Sequence, residues 1–85
     1  MTQPVTLYDQ LRAVILEALT GHDPDKVTPS ACLREDLGCT DTDKIEVMLA
    51  VEEFFDCEIS DDDADHVRTV GDLLDLVQRK QRAAA

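Results

Sequence analysis

Residues 40–56 read TDTDKIEVMLAVEEFFD and carry the strongest structural signal in the chain. At about 100° per residue, the apolar side chains gather on one arc, which predicts a helix from about Asp41 to Asp56. Thr40, Asp41 and Asp43 suit a helix start, and we expect Asp41 to be the cap. The core-facing arc holds Val47, Met48, Val51, Phe54 and Phe55. Because this helix buries one face, it needs other elements to pack against.

The opposite arc of the same helix is acidic and also carries two apolar residues. Its acids are Glu46, Glu52, Glu53 and Asp56. Ile45 and Leu49 lie among them, and two interpretations are open. Either the first helix or the loop covers these two side chains, as exposed apolar residues are ordinary, or they contact a partner that the acids attract. We favour the second interpretation, an interaction helix.

The N-terminal segment predicts another helix, from about residue 5 to 20. Pro4 precedes it and Gly21 follows it, which are start and stop signals. Its apolar residues follow the spacing of one helix face: Leu7, Leu11, Val14, Ile15, Ala18 and Leu19. This face is the natural packing partner for the core-facing arc of residues 40–56.

Residues 21–40 form a predicted long loop, because helical periodicity disappears and glycine and proline recur. Loops of this length in small domains are more often functional, or pinned by their own apolar residues, than idle. Val27, Leu33 and Leu37 are the apolar residues available to anchor it. We therefore expect an ordered loop that packs on the helices.

Two capping boxes predict the remaining helices. Ser60 with Asp63 starts a short helix, and Thr69 with Asp72 starts one that runs to about Arg82. No strand-like alternation or internal repeat occurs. The predicted fold is therefore all-α, with three longer helices and one short helix in a bundle, as a single domain over residues 1–85 with its core at about residues 5–82.

The charge balance excludes several classes of partner. The 85 residues include 19 acidic and 8 basic side chains, for a formal net charge of -11. Such a surface repels nucleic acid and anionic membranes, and it favours a protein partner with a basic patch. The odd count of three cysteines indicates reduced thiols, and no apolar stretch is long enough to span a bilayer. We expect a monomeric cytoplasmic protein.

One acidic run has a weak likeness to a calcium loop. Asp61, Asp63 and Asp65 would be its first ligands and Asp72 its last, but His66 stands where such a loop needs glycine. Capping and first-turn acids of a short helix explain the run better. We expect no metal site, and a calcium-responsive module is kept as an alternative. Because no nucleophile or histidine has a local activating signature, we also expect no enzyme.

Taken together, the order of elements and several short phrases resemble the acyl carrier protein family. The likeness covers about residues 7–78 without a gap. Its phrases are LREDLG at 33–38, EEFF at 52–55, EIS at 58–60 and TVGD at 69–72. The resemblance implies a four-helix bundle whose acidic second helix docks onto basic patches of enzymes in fatty-acid, polyketide or related acyl metabolism. Glu46, Glu52 and Glu53 match its recognition acids, and Ile45 and Leu49 match its partner-facing apolar residues.

Family members carry 4'-phosphopantetheine on the serine of an Asp-Ser-Leu triplet at the start of that helix. Here the three positions hold Thr40, Asp41 and Thr42, with Asp41 in place of the serine. A carboxylate cannot supply the attacking hydroxyl, so the resemblance implies an atypical member without the arm. The leading hypothesis is a non-carrying docking adaptor or regulator. The alternative is a working carrier, modified on Thr40 or Thr42 or studied as a serine-to-aspartate variant.

Asp41 itself has two interpretations. A lost attachment site can drift to aspartate because aspartate suits a helix start as well as serine does. Alternatively, its charge imitates the phosphodiester and keeps the protein in a form that always docks. We favour the first interpretation.

Overall fold

Each helix of the described chain begins with reciprocal hydrogen bonds between two residues that lie three apart in sequence. A computed structural model describes residues 6–19 and 24–84. Its helices are α1 (Leu7–Ala18), α2 (Asp41–Phe55), α3 (Asp61–Asp65) and α4 (Val70–Ala84). The cap and its partner three residues later are Thr6 and Asp9, Thr40 and Asp43, Ser60 and Asp63, and Thr69 and Asp72. Each box satisfies backbone N–H groups that the first helical turn leaves without partners.

The predicted elements agree with these helices to within about two residues. Helix α2 ends where Asp56 takes the left-handed conformation, with φ of 51°, and α4 continues two residues past the predicted end at Arg82. Pro4 and Gly21, the signals used to bound the first helix, lie outside the described residues. The all-helical architecture is confirmed, since the described part of the chain holds helices and an isolated bridge between Cys32 and Thr69.

A continuous apolar core lies between α1, α2, α4 and the long loop. Helix α1 packs mainly against α2 and to a smaller extent against α4. The fully buried large side chains are Leu11, Ile15, Leu73, Val27, Val47, Val51, Val70 and Val77. Aliphatic side chains thus fill the core, and helix α2 is held with one face inward and its acidic face outward.

The loop between α1 and α2 is held in place by a hydrogen bond from α1 and by its own buried residues. A short 3₁₀ helix, Pro24–Lys26, follows α1, and the Tyr8 hydroxyl donates to the Val27 carbonyl oxygen at 2.8 Å. Val27, Leu33 and Leu37 are buried, as predicted. Their burial makes the loop part of the packed fold.

Backbone hydrogen bonds then join the loop to the start of α4. The Leu33 N–H donates to the Arg68 carbonyl oxygen at 2.9 Å, and the Val70 N–H donates to that of Ala31 at 3.0 Å. The Gly71 N–H donates to the Pro29 carbonyl oxygen at 2.8 Å. A Cβ at position 71 would lie 2.9 Å from that oxygen, so glycine permits this close approach.

Phe54 corrects the predicted core face. Its side chain is 58% exposed, although the helical arc placed it inward with Val47 and Val51. Phe54 lies at the edge of that arc, beside a cleft whose lining from α1 is Val14, Glu17 and Ala18. An edge position of the arc lies at the rim of the contact between α1 and α2, which leaves more than half of the side chain exposed.

No helix in the described residues combines the length and apolar character needed to cross a membrane.

Candidate functional site

The start of α2 is capped by Thr40, and this corrects the expectation that Asp41 is the cap. The Thr40 Oγ1 accepts from the Asp43 N–H at 3.1 Å, and the Asp43 Oδ2 accepts from the Thr40 N–H at 3.1 Å. A cap at Asp41 would place Lys44 three residues later, and an ammonium group cannot accept the returning hydrogen bond. The reciprocal box therefore selects Thr40, and Asp41 becomes the first residue of the helix.

The Asp41 carboxylate is directed at the loop. It accepts a hydrogen bond from the Arg34 guanidinium, and the two side chains are 84% and 73% exposed. An ion pair this exposed adds little stability, because water and salt screen it. Its consequence is positional: the first residue of α2 carries a carboxylate paired with a loop arginine.

Hydroxyl groups near this position are few. Thr40 uses its oxygen in the cap, and Thr42 is exposed in the first turn of α2. The chain has two serines, Ser30 and Ser60. Ser30 lies in the loop beside Thr28, and Ser60 caps α3. Neither serine is at the start of α2.

The exposed face of α2 has the composition that the sequence predicted. Ile45 and Leu49 are each 59% exposed. Glu46 and Glu53 are exposed beside them, whereas Glu52 is half-buried. The prediction that Ile45 and Leu49 are uncovered is confirmed, and the interpretation that α1 or the loop covers them is wrong.

A groove of about 490 Å³ runs between α2 and α3. Among the predicted site residues, it brings together Asp41, Ile45, Leu49 and Glu52, while Glu46, Glu53 and Thr42 are not in its lining. Sequence reasoning missed its opposite wall, which includes Ile59 and Ala64. Apolar residues at those two places within the acidic stretch 56–66 were the available signal.

A neighbouring pocket of about 520 Å³ contains two thiols, Cys32 and Cys39. Burial raises the pKa of Cys39, and the nearby Asp43 carboxylate raises it further. Burial also raises the pKa of Cys32, with Glu35 and Asp36 acting in the same direction. Since thiolates are the reactive form, both side chains are poor nucleophiles at neutral pH. All three cysteines are free, in agreement with the predicted reduced thiols.

The acidic run of α3 serves as a cap and first turn, which was the favoured interpretation. Asp61–Asp65 is helical, so these residues do not form the loop that an EF-hand site requires. The Asp63 Oδ2 lies 3.0 Å from the Lys80 Nζ, linking α3 to α4. The hydrogen bond from Lys80, followed by those from Ser60, lowers the pKa of Asp63. His66 is exposed, and its Nδ1 contacts the Asp62 carbonyl oxygen at 2.6 Å.

The chain matches a known protein family over most of its length. A family described as "Phosphopantetheine attachment site" matches residues 9–77. The chain is similar to the acyl carrier protein of Phenylobacterium zucineum, with 42% identity over 72 residues, covering 85% of this chain and 90% of that protein. It is also similar to the acyl carrier protein of Caulobacter vibrioides, with 40% identity over 74 residues, covering 87% and 94% of the two chains. The acyl carrier protein of Bdellovibrio bacteriovorus is 38% identical over 79 residues, covering 93% and 100%.

Acyl carrier proteins are carrier proteins and not enzymes, which agrees with the prediction that this chain is no enzyme. The family match spans most of the chain, and the relatives align over nearly their whole length. The chain therefore belongs to the acyl carrier protein family.

Proposed function

We propose that this protein docks onto enzymes of acyl metabolism through helix α2 and does not itself carry 4'-phosphopantetheine. The observation that carries the proposal is Asp41 at the position of the attachment serine, with its carboxylate paired with Arg34. Attachment needs a hydroxyl oxygen that attacks the phosphopantetheine donor, and a carboxylate contains no hydroxyl group. The residues at the start of α2 thus do not fit the group.

The two neighbouring threonines are weaker substitutes for the serine. The Thr40 hydroxyl is engaged in the cap with Asp43, so modification there would sacrifice a helix start. Thr42 is exposed, but using it shifts the family register by one residue, or about 100° around α2. That shift would move Ile45 and Leu49 away from the positions that match the family's partner-facing residues.

The composition of α2 supports docking. Ile45 and Leu49 present apolar surface to solvent, and Glu46 and Glu53 are exposed beside them. An apolar contact flanked by these carboxylates fits a partner surface with an apolar centre and a basic rim. On this proposal the protein competes with, positions or modulates a carrier that does hold the arm.

The first experiment is an intact-mass measurement. The chain is incubated with coenzyme A and a broad-specificity phosphopantetheinyl transferase, and we expect no added mass. The matched control is the same chain with Thr40→Asp, Asp41→Ser and Thr42→Leu, which restores the family triplet and should gain one phosphopantetheine. A gain by the unaltered chain, lost in Thr42→Ala or Thr40→Ala, would overturn the non-carrying proposal and establish a working carrier.

The second experiment tests docking with a purified β-ketoacyl synthase of fatty-acid synthesis as the probe. Glu46→Lys with Glu52→Lys should slow association about tenfold or more at low salt, because steering by charge raises on-rates by 10–10³. Glu58→Lys with Asp75→Lys is the matched control, since it makes the same charge change at exposed positions outside α2. If both double variants associate equally fast, α2 does not steer the encounter.

A further inference from the structure

The uncovered Phe54 ring forms one wall of a cleft between α1 and α2. The cleft has a volume of about 410 Å³. Its described lining consists of Val14, Glu17, Ala18, Ala50, Glu53 and Phe54. Val14 forms a buried floor and the two alanines are half-buried. The result is an apolar recess with an exposed aromatic wall.

This cleft is separate from the surface made by Ile45 and Leu49. At about 100° per residue, Phe54 lies about 180° from Ile45 and about 140° from Leu49 around the helix. Glu46 and Glu53 project between the two apolar regions. Helix α2 therefore has two exposed apolar surfaces, one towards α3 and one towards α1, with acids between them.

The Phe54 ring is oriented by its neighbour. Its centroid lies 4.9 Å from that of Phe55, with the planes at 74°, an edge-to-face arrangement. Phe55 is half-buried and packs against the core. An aromatic side chain held this way loses little further freedom on binding, which favours it as an anchor.

Charge indicates what the cleft accepts. Glu17 and Glu53 are both exposed, and no described residue in the lining carries positive charge. A second copy of this chain would bring like charges together, since each copy carries a net charge of -11. A partner segment with lysine or arginine beside an apolar side chain would instead pair with both carboxylates.

We propose that the Phe54 cleft docks a segment of a partner protein in which an aliphatic or aromatic side chain is flanked by lysine or arginine. The apolar side chain enters between Phe54 and the α1 residues Val14 and Ala18, and the basic groups contact Glu17 and Glu53. This proposal goes beyond the function proposed above, because it holds whether or not the chain carries an arm and whichever enzyme contacts Ile45 and Leu49.

The test is NMR titration of the full isotope-labelled chain with a synthetic helical peptide of about four turns that presents a central leucine flanked by lysines. We expect amide shifts to concentrate in the C-terminal halves of α1 and α2. Two matched peptides, one with alanine for the leucine and one with glutamate for the lysines, should bind at least about fivefold more weakly.

Variants locate the binding surface. Phe54→Glu should weaken binding of the lysine peptide by at least about fivefold. Gln81→Glu, an equal charge change at an exposed position of α4, should not weaken it. Because Phe54 is exposed, the Phe54→Glu variant should fold, and a thermal melt checks this. Phe54→Ala provides a second measure of the contribution of the ring to peptide binding. The proposal is overturned if the peptides bind equally, or if Leu49→Glu and not Phe54→Glu removes binding. It is also overturned if sedimentation shows that the free chain forms a dimer and that Phe54→Glu abolishes it.

Discussion

Helices α2 and α4 begin with the same local motif, a threonine cap and an aspartate three residues later, but in different surroundings. At the start of α4, the Asp72 carboxylate accepts from the Arg68 and Thr69 N–H groups at 3.1 and 3.2 Å. The adjoining backbone is bonded to the loop before α2. At the start of α2, the first helical residue, Asp41, faces solvent and pairs with an exposed arginine. One helix start joins parts of the fold, and the other is exposed to solvent.

The largest expected difference lies at Gly71, where α4 meets the loop. Gly71→Ala should lower stability by roughly 2 kcal/mol, because the new methyl would press on the Pro29 carbonyl oxygen and overpacking typically costs 1–3 kcal/mol. That corresponds to a fall in Tm of about 10 °C for a domain of this size. A thermal melt followed by circular dichroism checks this. Ala13→Gly, at an exposed site of α1, is a control for the sensitivity of Tm to an alanine–glycine exchange in a helix. A Tm of Gly71→Ala equal to that of the unaltered chain would show that the loop moves to accommodate the methyl group.

Removing each cap should give a smaller and unequal pair of effects. Thr69→Ala should cost about 1–2 kcal/mol and Thr40→Ala about 0.5–1 kcal/mol, since capping hydroxyls are worth about 0.5–2 kcal/mol and the Thr69 site is less exposed. Urea unfolding measures both values. Thr69→Ser and Thr40→Ser retain the hydroxyl and should restore most of the stability. Equal losses at the two sites would remove the distinction between the helix starts.

The pH dependence of the α4 start follows from Asp72. Backbone hydrogen bonds from Arg68 and Thr69 lower the pKa of this carboxyl below its ordinary value of 3.8. The stabilisation is therefore fully present above the unfolded pKa and is lost as pH falls through the lower folded pKa. The Tm gap between the unaltered chain and Asp72→Asn should be constant near neutral pH and shrink below about pH 4.

High salt provides the control for that pH experiment. Because the effect arises from hydrogen bonds, the Tm gap at neutral pH should persist in 1 M salt, where exposed charge interactions are largely screened. A gap that disappears in salt would assign the effect to surface charge and contradict the hydrogen-bond explanation.

The smallest effect is expected for the pair at the α2 start. A double-mutant cycle of Arg34→Ala and Asp41→Asn should give a coupling energy of roughly 0.2–1 kcal/mol, as for other exposed pairs. Urea unfolding of the four proteins measures it. A coupling of several kcal/mol would mean that the two helix starts are both structural and would break the comparison.

Much of the fold followed from short-range features of the sequence. The Ser60–Asp63 and Thr69–Asp72 boxes located two helix starts, because a cap and its partner lie within one turn. The exposure of Ile45 and Leu49 also followed from periodicity, since one face of α2 is enough to place them. The cap of α2 lies one residue before the predicted Asp41, because Thr40 and Asp43 form a reciprocal box that Asp41 and Lys44 cannot form.

Other parts of the candidate site depend on residues that are distant in sequence. The groove beside α2 needs Ile59 and Ala64 as its second wall, and the Asp41 carboxylate meets Arg34 from the preceding loop. The exposure of Phe54 depends on how far the contact between α1 and α2 extends, and the cleft beside the ring is lined from α1 by Val14, Glu17 and Ala18. Helical periodicity describes one helix at a time and contains no information on what a neighbouring helix presents.

Residue spacing in the sequence was enough to predict the helices, the reciprocal caps of α3 and α4, and the acidic face of α2. These features rest on spacing within about one helical turn and on side-chain chemistry. The tertiary structure alone decided that Phe54 is exposed, that Gly71 lies against Pro29, and which residues face the α2–α3 groove. The physical reason is that burial and close approach are set by the packing of separate elements, which no local pattern specifies.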